Sequence, residues 1–240
     1  MSNYRLIHID ETDSTNRWLR EAAIEGEELT VVWADYQTAG RGCGTNAWES
    51  ERGQNLTFSI LCHPHQIPAN RQFLISMAIS TAIADAIGRY AGEDISIKWP
   101  NDIYWRDRKL CGILIECTLS GQLLKDCIVG VGLNVNQQAF VSDAPNPVSL
   151  RQITGQDTDR ELLLRDIVRR FDADLAALGI QTEHYYRSRL YRHEGFWPYR
   201  DAGGQFLAEL VDVENDGHLL LRDEQGCLRR YAFKEVSFKL

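Results

Sequence analysis

The chain lacks most of the devices that announce a chemistry at first reading. Its six cysteines (Cys43, Cys62, Cys111, Cys117, Cys127 and Cys227) never form a CxxC pair, which argues against a zinc ribbon or a disulfide scaffold and predicts reduced thiols in a cytoplasm. Cys62, Cys111, Cys117 and Cys127 sit in apolar, strand-like runs and are expected in the core. No uninterrupted apolar run approaches the roughly 18 residues that span a bilayer. The N-terminal residues lack the positive-then-apolar layout of a secretory signal. Excess positive charge is missing as well: 26 Lys plus Arg stand against 34 Asp plus Glu, a net charge of −8. A basic surface supplies most non-specific nucleic-acid affinity, so that class of partner is disfavoured. There is no internal repeat, no low-complexity tract, no Gly-Lys-Ser/Thr of a P-loop and no recognisable Ser-His-Asp or Cys-His arrangement.

What is present is a soluble globular composition spread over 240 residues, enough for one full-sized domain and a small second one. Alternation predicts a strand over 4–9, and Asp13-Ser14-Thr15-Asn16 offers N-caps for a helix whose face carries Trp18, Leu19, Ala22 and Ala23, ended by Gly26. Strands over 29–36 and 55–62 flank a glycine-rich stretch from Gly40 to Gly53. Phe73, Leu74, Met77, Ala78, Ala82 and Ile87 recur near helical spacing and predict a long amphipathic helix over 70–90. Apolar strands over 95–99, 110–117 and 127–135 follow with short connections, which predicts hairpins and a mixed or antiparallel sheet. Thr158 and Glu161 have capping-box spacing before a helix to about residue 178. Beyond Trp197-Pro198 come short strands over 205–213, 218–222 and 228–233 with turns at Asn215-Asp216-Gly217 and Gly226, the texture of a small β-barrel. The expected fold class is α+β, a catalytic domain over 1–194 followed by a C-terminal β-barrel over 195–240.

Four clusters carry possible chemistry. Gly40-Arg41-Gly42-Cys43-Gly44 lets the backbone approach a ligand closely, and Arg41 suits phosphate or carboxylate, although a glycine-rich connection is often only a turn. Lys98-Trp99-Pro100-Asn101-Asp102 places a cation and a carboxylate at a strand end, yet Pro-Asn-Asp is also ordinary turn composition. Lys109 opens an apolar strand in which Gly112 leaves room for a ligand. Gly130 and Gly132 weaken a buried strand unless something packs against its backbone, and Asn134 beyond them can meet a base edge.

In this order the clusters resemble the biotin protein ligase family. Ser14-Thr15-Asn16, Gln37-Thr38-Ala39-Gly40-Arg41-Gly42, Lys98 to Asp102, Lys109 to Glu116 and Gly130 to Asn134 carry the likeness, and Glu235-Val236-Ser237-Phe238 resembles the end of that family's barrel. The resemblance implies a class II synthetase-like sheet with helices packed on it, an SH3-like C-terminal barrel, and ATP-dependent formation of biotinyl-adenylate followed by transfer to a carrier lysine.

The implied roles go residue by residue. Ser14, Thr15 and Gln37 would hold the biotin head group with Asn16 supporting the turn, and Gly40, Arg41, Gly42, Cys43 and Gly112 would surround biotin and its carboxyl. Lys109 would stabilise charge where carboxylate meets the α-phosphate. Lys98, Asn101 and Asp102 would serve the ATP phosphates and a magnesium ion, the metal on Asp102. Trp48 and Asn134 would serve the nucleotide, with Lys239 or Glu235 reaching it from the barrel. The implied acceptor is a biotin carboxyl carrier protein. No nucleic-acid or membrane partner and no permanently bound cofactor are implied, and a weak homodimer is compatible with the likeness.

Two departures stand out. Cys43, Gly44 and Thr45 replace the second arginine and further glycine that commonly follow in the family. The first strand also begins at once, so no helix-turn-helix segment is expected. Two rivals remain: a lipoate protein ligase, sharing fold class and adenylation chemistry, and a biotin-binding sensor without ligase activity, which would not need Lys98, Asp102 and Lys109.

Overall fold

Alternating residues at the start form β1 (Tyr4–Thr12), which is followed by a short helix, α1 (Thr15–Glu21), and by β2 (Leu29–Gln37) lying parallel to β1. The protein is represented by a computed structural model that describes residues 4–22, 24, 26, 28–44, 46–142 and 146–239. Ala23 of the expected first helix face and Thr45 of the glycine-rich loop lie outside the described residues. The strands β3 (Leu56–Cys62), β4 (Ile95–Lys98), β5 (Asp102–Trp105), β6 (Arg108–Ser120) and β7 (Leu123–Leu133) complete a seven-stranded sheet in the order β1-β2-β3-β7-β6-β5-β4. Only β1 and β2 run parallel, so the sheet is mixed as expected. Strand β5 was not foreseen: its four residues stand directly behind the Pro-Asn-Asp turn, whose composition dominates the local reading.

The long helix, α2 (Phe73–Ala91), departs from the amphipathic pattern. Every residue from Leu74 to Ala84 is buried, because the sheet covers one side and α4 (Arg160–Ala176) and α5 (Ile180–Ser188) cover the other. Each fully buried isoleucine of α2 contributes about 1.5–3 kcal/mol of transfer free energy. The segment Ala69–Asp94 is long and apolar enough to cross a membrane, but 72% of its window is buried inside this protein, as suits a core helix. The expected capping box at Thr158 and Glu161 is replaced by Asp159, whose carboxylate accepts from the Leu162 amide at 3.0 Å. The reciprocal box occurs instead at Ser149 and Gln152, opening α3 (Leu150–Thr154).

A second, antiparallel sheet of five strands is built from β8 (Phe196–Asp201), β9 (Gly204–Val213), β10 (Leu219–Asp223), β11 (Leu228–Tyr231) and β12 (Ser237–Phe238). Its inner residues, among them Tyr199, Val213, Leu219 and Leu221, join the same apolar cluster as the large sheet. Trp99 pins the two together: its indole N–H donates to the Gly217 carbonyl at 2.9 Å and its ring meets Phe233 edge-on. The expectation of reduced thiols fails at one place. Register sets Cys117 opposite Cys127 on β6 and β7, and the two are joined by a disulfide, while Cys43, Cys62, Cys111 and Cys227 are free.

Candidate active site

Between the face of the large sheet and the edge of the small one lies a cleft of about 460 Å³. Its lining gathers almost every residue singled out in the sequence: Ser14, Thr15, Asn16, Gln37, Arg41, Gly42, Cys43, Trp48, Lys98, Asn101, Asp102, Lys109 and Gly112. The chain reaches it from segments spread between Ser14 and Phe238, and each arrives for a local reason.

One end of the cleft is polar. Ser14 occupies the N-cap of α1 with extended φ, ψ, yet its side chain makes no capping bond, which leaves the hydroxyl to the cleft. Gln37 accepts at Oε1 from the Thr15 amide at 2.8 Å and from its hydroxyl at 3.1 Å. Ser59 Oγ lies 2.7 Å from Thr15 Oγ1 and 2.6 Å from Asn16 Oδ1. Asn16 in turn donates to Glu116 at 2.9 Å. This chain of buried hydrogen bonds fixes rotamers that would otherwise turn freely, so the donors and acceptors facing the cleft are held before any ligand arrives. Ser59 escaped the sequence reading. The available signal was the placing of Thr57 and Ser59 between the apolar Leu56, Phe58 and Ile60.

The middle is apolar, lined by Ile113, Leu114, Val131 and Trp99. The glycines of β7 are explained here. A Cβ on Gly132 would stand 2.3 Å from the Trp48 indole, and one on Gly130 would stand 2.2 Å from Asn16 Oδ1. The strand gives up side chains so that Trp48 and Asn16 can lie flat upon it. Gly40 answers the same need, since a Cβ there would meet the Trp48 carbonyl at 2.7 Å. The glycine-rich loop folds back on itself, with Trp48 N–H donating to the Gly40 carbonyl at 3.0 Å and Gly42 N–H donating to Asn46 at 2.7 Å.

The other end is cationic. Lys109 Nζ is 2.7 Å from Asp102 Oδ1, and Lys98 Nζ is 2.9 Å from the Tyr104 hydroxyl. Arg41 stands nearer the polar end, 3.9 Å from the Glu116 carboxylate to which Asn16 donates and with which Arg20 pairs at 2.6 Å. Burial is the main reason that the Lys98 ammonium lies below the ordinary lysine range; Lys109 and Arg192 push the same way and Asp102 opposes them. Lys234 enters this end from the turn between β11 and β12 and went unnoticed in the sequence, because only the packing of the two sheets brings it near.

Four expected residues behave otherwise. Asn101 lines the cleft, but its amide donates to the Ile113 carbonyl at 2.5 Å and braces the turn after the cis Trp99–Pro100 bond. Asn134 is 3% exposed and does not line the cleft; its Nδ2 donates to the Val148 carbonyl, while its Oδ1 is buried without a partner among the described residues. Lys239 does not line the cleft either. Its backbone ties the joint between the sheets, accepting from Arg192 at 2.7 Å and donating to Pro198 at 3.0 Å. Glu235 caps the Ala232 amide instead of facing the cleft. Asp102 is the only cleft-lining carboxylate among the described residues, with no cluster of three metal-ligating groups around it. That donor set fits a magnesium ion that keeps waters and takes its remaining ligands from phosphate oxygens.

Comparison with known proteins agrees with this geometry. The sequence profile of the Biotin/lipoate A/B protein ligase family matches residues 8–134. The chain is 32% identical to the biotin–[acetyl-CoA-carboxylase] ligase of Paracoccus denitrificans, over 90% of each chain. It is 30% identical to the bifunctional ligase/repressor BirA of Bacillus spizizenii, over 95% of this chain and 72% of that one. Its fold superimposes on the biotin protein ligase of Aquifex aeolicus in complex with biotin and ATP with a TM-score of 0.81, at 27% identity over 98% of each chain.

Proposed function

Because the chain belongs to the Biotin/lipoate A/B protein ligase family, we infer that it is an ATP-dependent biotin protein ligase. One observation carries the assignment of roles: a single cleft joins a preorganised polar end, through an apolar waist, to an end that presents Lys98 and Lys109, with Arg41 also in its lining. The polar end suits the ureido group of biotin, the waist its valeryl chain, and the cations the junction of its carboxylate with ATP.

In the first half-reaction a biotin carboxylate oxygen attacks the α-phosphorus and the bond to the pyrophosphate oxygen breaks. Two anions must meet, so charge neutralisation and alignment are the main requirements, and no enzyme nucleophile is needed. At rest Lys109 is neutralised by Asp102. With ATP bound, Lys109 would pair with the phosphate, and Asp102 would hold a magnesium ion that would neutralise charge on the departing pyrophosphate. Lys98 and Arg41 hold the phosphate and carboxyl oxygens. In the second half-reaction the amine of a carrier lysine attacks the acyl carbon, AMP leaves and the amine loses a proton. The acceptor is the biotin carrier of acetyl-CoA carboxylase or a domain like it, in keeping with the name of the Paracoccus relative.

Pyrophosphate release with ATP and either biotin or lipoate tests the reading. Biotin is expected to drive it and lipoate to leave it at background; the reverse outcome would assign the chain to the lipoate branch of the family.

A further inference from the structure

We propose that Lys234 is a phosphate-binding residue of the cleft, holding the acyl-adenylate in place between the two half-reactions. The proposal rests on the ligase reading above. Of the four cations that line the cleft among the described residues, three are engaged at rest: Arg41 toward Glu116, Lys98 with the Tyr104 hydroxyl, and Lys109 with Asp102. Lys234 is exposed and makes no ion pair among the described residues; its ammonium rests 5.6 Å from the ring of its neighbour Phe233. Its Nζ reaches across to the tip of the glycine-rich loop, where a Cβ added to Gly44 would stand only 2.6 Å away. Gly44 itself holds φ +73, so the loop presents bare backbone at the point that the ammonium occupies.

From Gly42 to Trp48 the loop carries no cation of its own. The charge facing that half of the cleft therefore comes from the opposite wall, the small sheet. Once pyrophosphate has departed, the anion left behind is the single phosphate of the mixed anhydride. A lysine spanning from the small sheet to the loop pairs with that phosphate and narrows the mouth through which the intermediate would leave. The C-terminal sheet thereby becomes part of the reaction site and the loop's neutral sequence is compensated.

The test is the release of biotinyl-adenylate, followed by rapid filtration after the enzyme has been charged with biotin and ATP. Lys234→Asn is the neutral variant, because asparagine tolerates the left-handed backbone (φ 72) that Lys234 holds. Release from it is expected to be about tenfold faster, the loss of one charge-assisted contact, with biotin affinity unchanged. Lys234→Arg should release at the parent rate, and adding Cys43→Arg to Lys234→Asn should slow release again by returning a cation from the loop side. Equal release from the parent and Lys234→Asn would overturn the proposal. A parent enzyme that forms no adenylate at all would overturn the ligase reading beneath it, and the two failures are distinguished by the charging step.

Discussion

Replacing Lys109 by alanine separates the chemistry of the cleft from its architecture. The ammonium sits 2.7 Å from Asp102, with the two side chains 33% and 20% exposed. A partly solvated pair of this kind contributes at most about 1 kcal/mol to folding. For a chain of this size that corresponds to a fall in Tm of about 2–4 °C. The effect on rate should be much larger. Lys109 stands at the cationic end of the cleft, the end proposed for the meeting of carboxylate and phosphate, and removing one preorganised group of that kind costs about 10²–10³ in rate, or about 2.7–4 kcal/mol of barrier. The end proposed for the biotin head group is the opposite, polar one, so the KM for biotin should stay near the parent value. The assay is biotin-dependent pyrophosphate exchange at saturating ATP, with a thermal melt run in parallel. An exchange rate equal to the parent's would refute the role, and a melt lowered by far more than the pair can account for would make Lys109 a structural residue.

Three further outcomes are expected. Ser59→Ala removes the hydroxyl between Thr15 and Asn16 and, at about 1–2 kcal/mol for a buried partner lost, should weaken biotin binding roughly 5- to 30-fold by calorimetry; an unchanged Kd would show that the buried chain does not position the ligand. Because burial holds the Lys98 ammonium below its ordinary 10.5, its charge is lost at a lower pH than a solvent-exposed lysine's, so the KM for ATP should climb on the alkaline side below pH 10.5, and Lys98→Arg should flatten that climb. Burial, then Asp85, raises the Asp174 carboxyl to about 6 from 3.8; the folded state therefore bears an ionisation cost above pH 6 that is absent below pH 4. Asp174→Asn should stabilise the protein by about 1 kcal/mol at pH 7 after solvent screening is allowed for, and a melt showing the same gain at pH 4 would contradict this.

Much of the fold was legible because apolar periodicity survives in the final packing: β1, β2, β3, β6, β7 and α2 stand close to where alternation or helical spacing puts them. The losses have physical causes. A four-residue strand such as β5 is too short for a period to emerge beside turn residues, and α2 is buried on both sides only because α4 and α5 cover it from far along the chain. The Cys117–Cys127 pair carries no CxxC spacing; it follows from hairpin register, which starts at the turn at Gly121 and shifts by one residue between Leu119 and Cys117. In the cleft, residues within compact motifs could be found by eye. Ser59 showed only as a polar residue in an apolar strand and Lys234 not at all, since their surroundings form only once β3 lies beneath α1 and the small sheet lies against the loop. Asn134 and Lys239 show the opposite error. Both belong to suggestive motifs, yet the first turns into the core and the second ties the joint between the sheets with its backbone.

The central claim is that this cleft activates biotin and delivers it to a protein lysine. Mass spectrometry of a purified biotin carrier domain, incubated with the enzyme, ATP and biotin, tests it most directly. The expected result is a mass increase of one biotinyl group, located on a single lysine and absent when ATP is withheld. A carrier of unchanged mass, while the enzyme is shown to bind both biotin and ATP, would contradict the account.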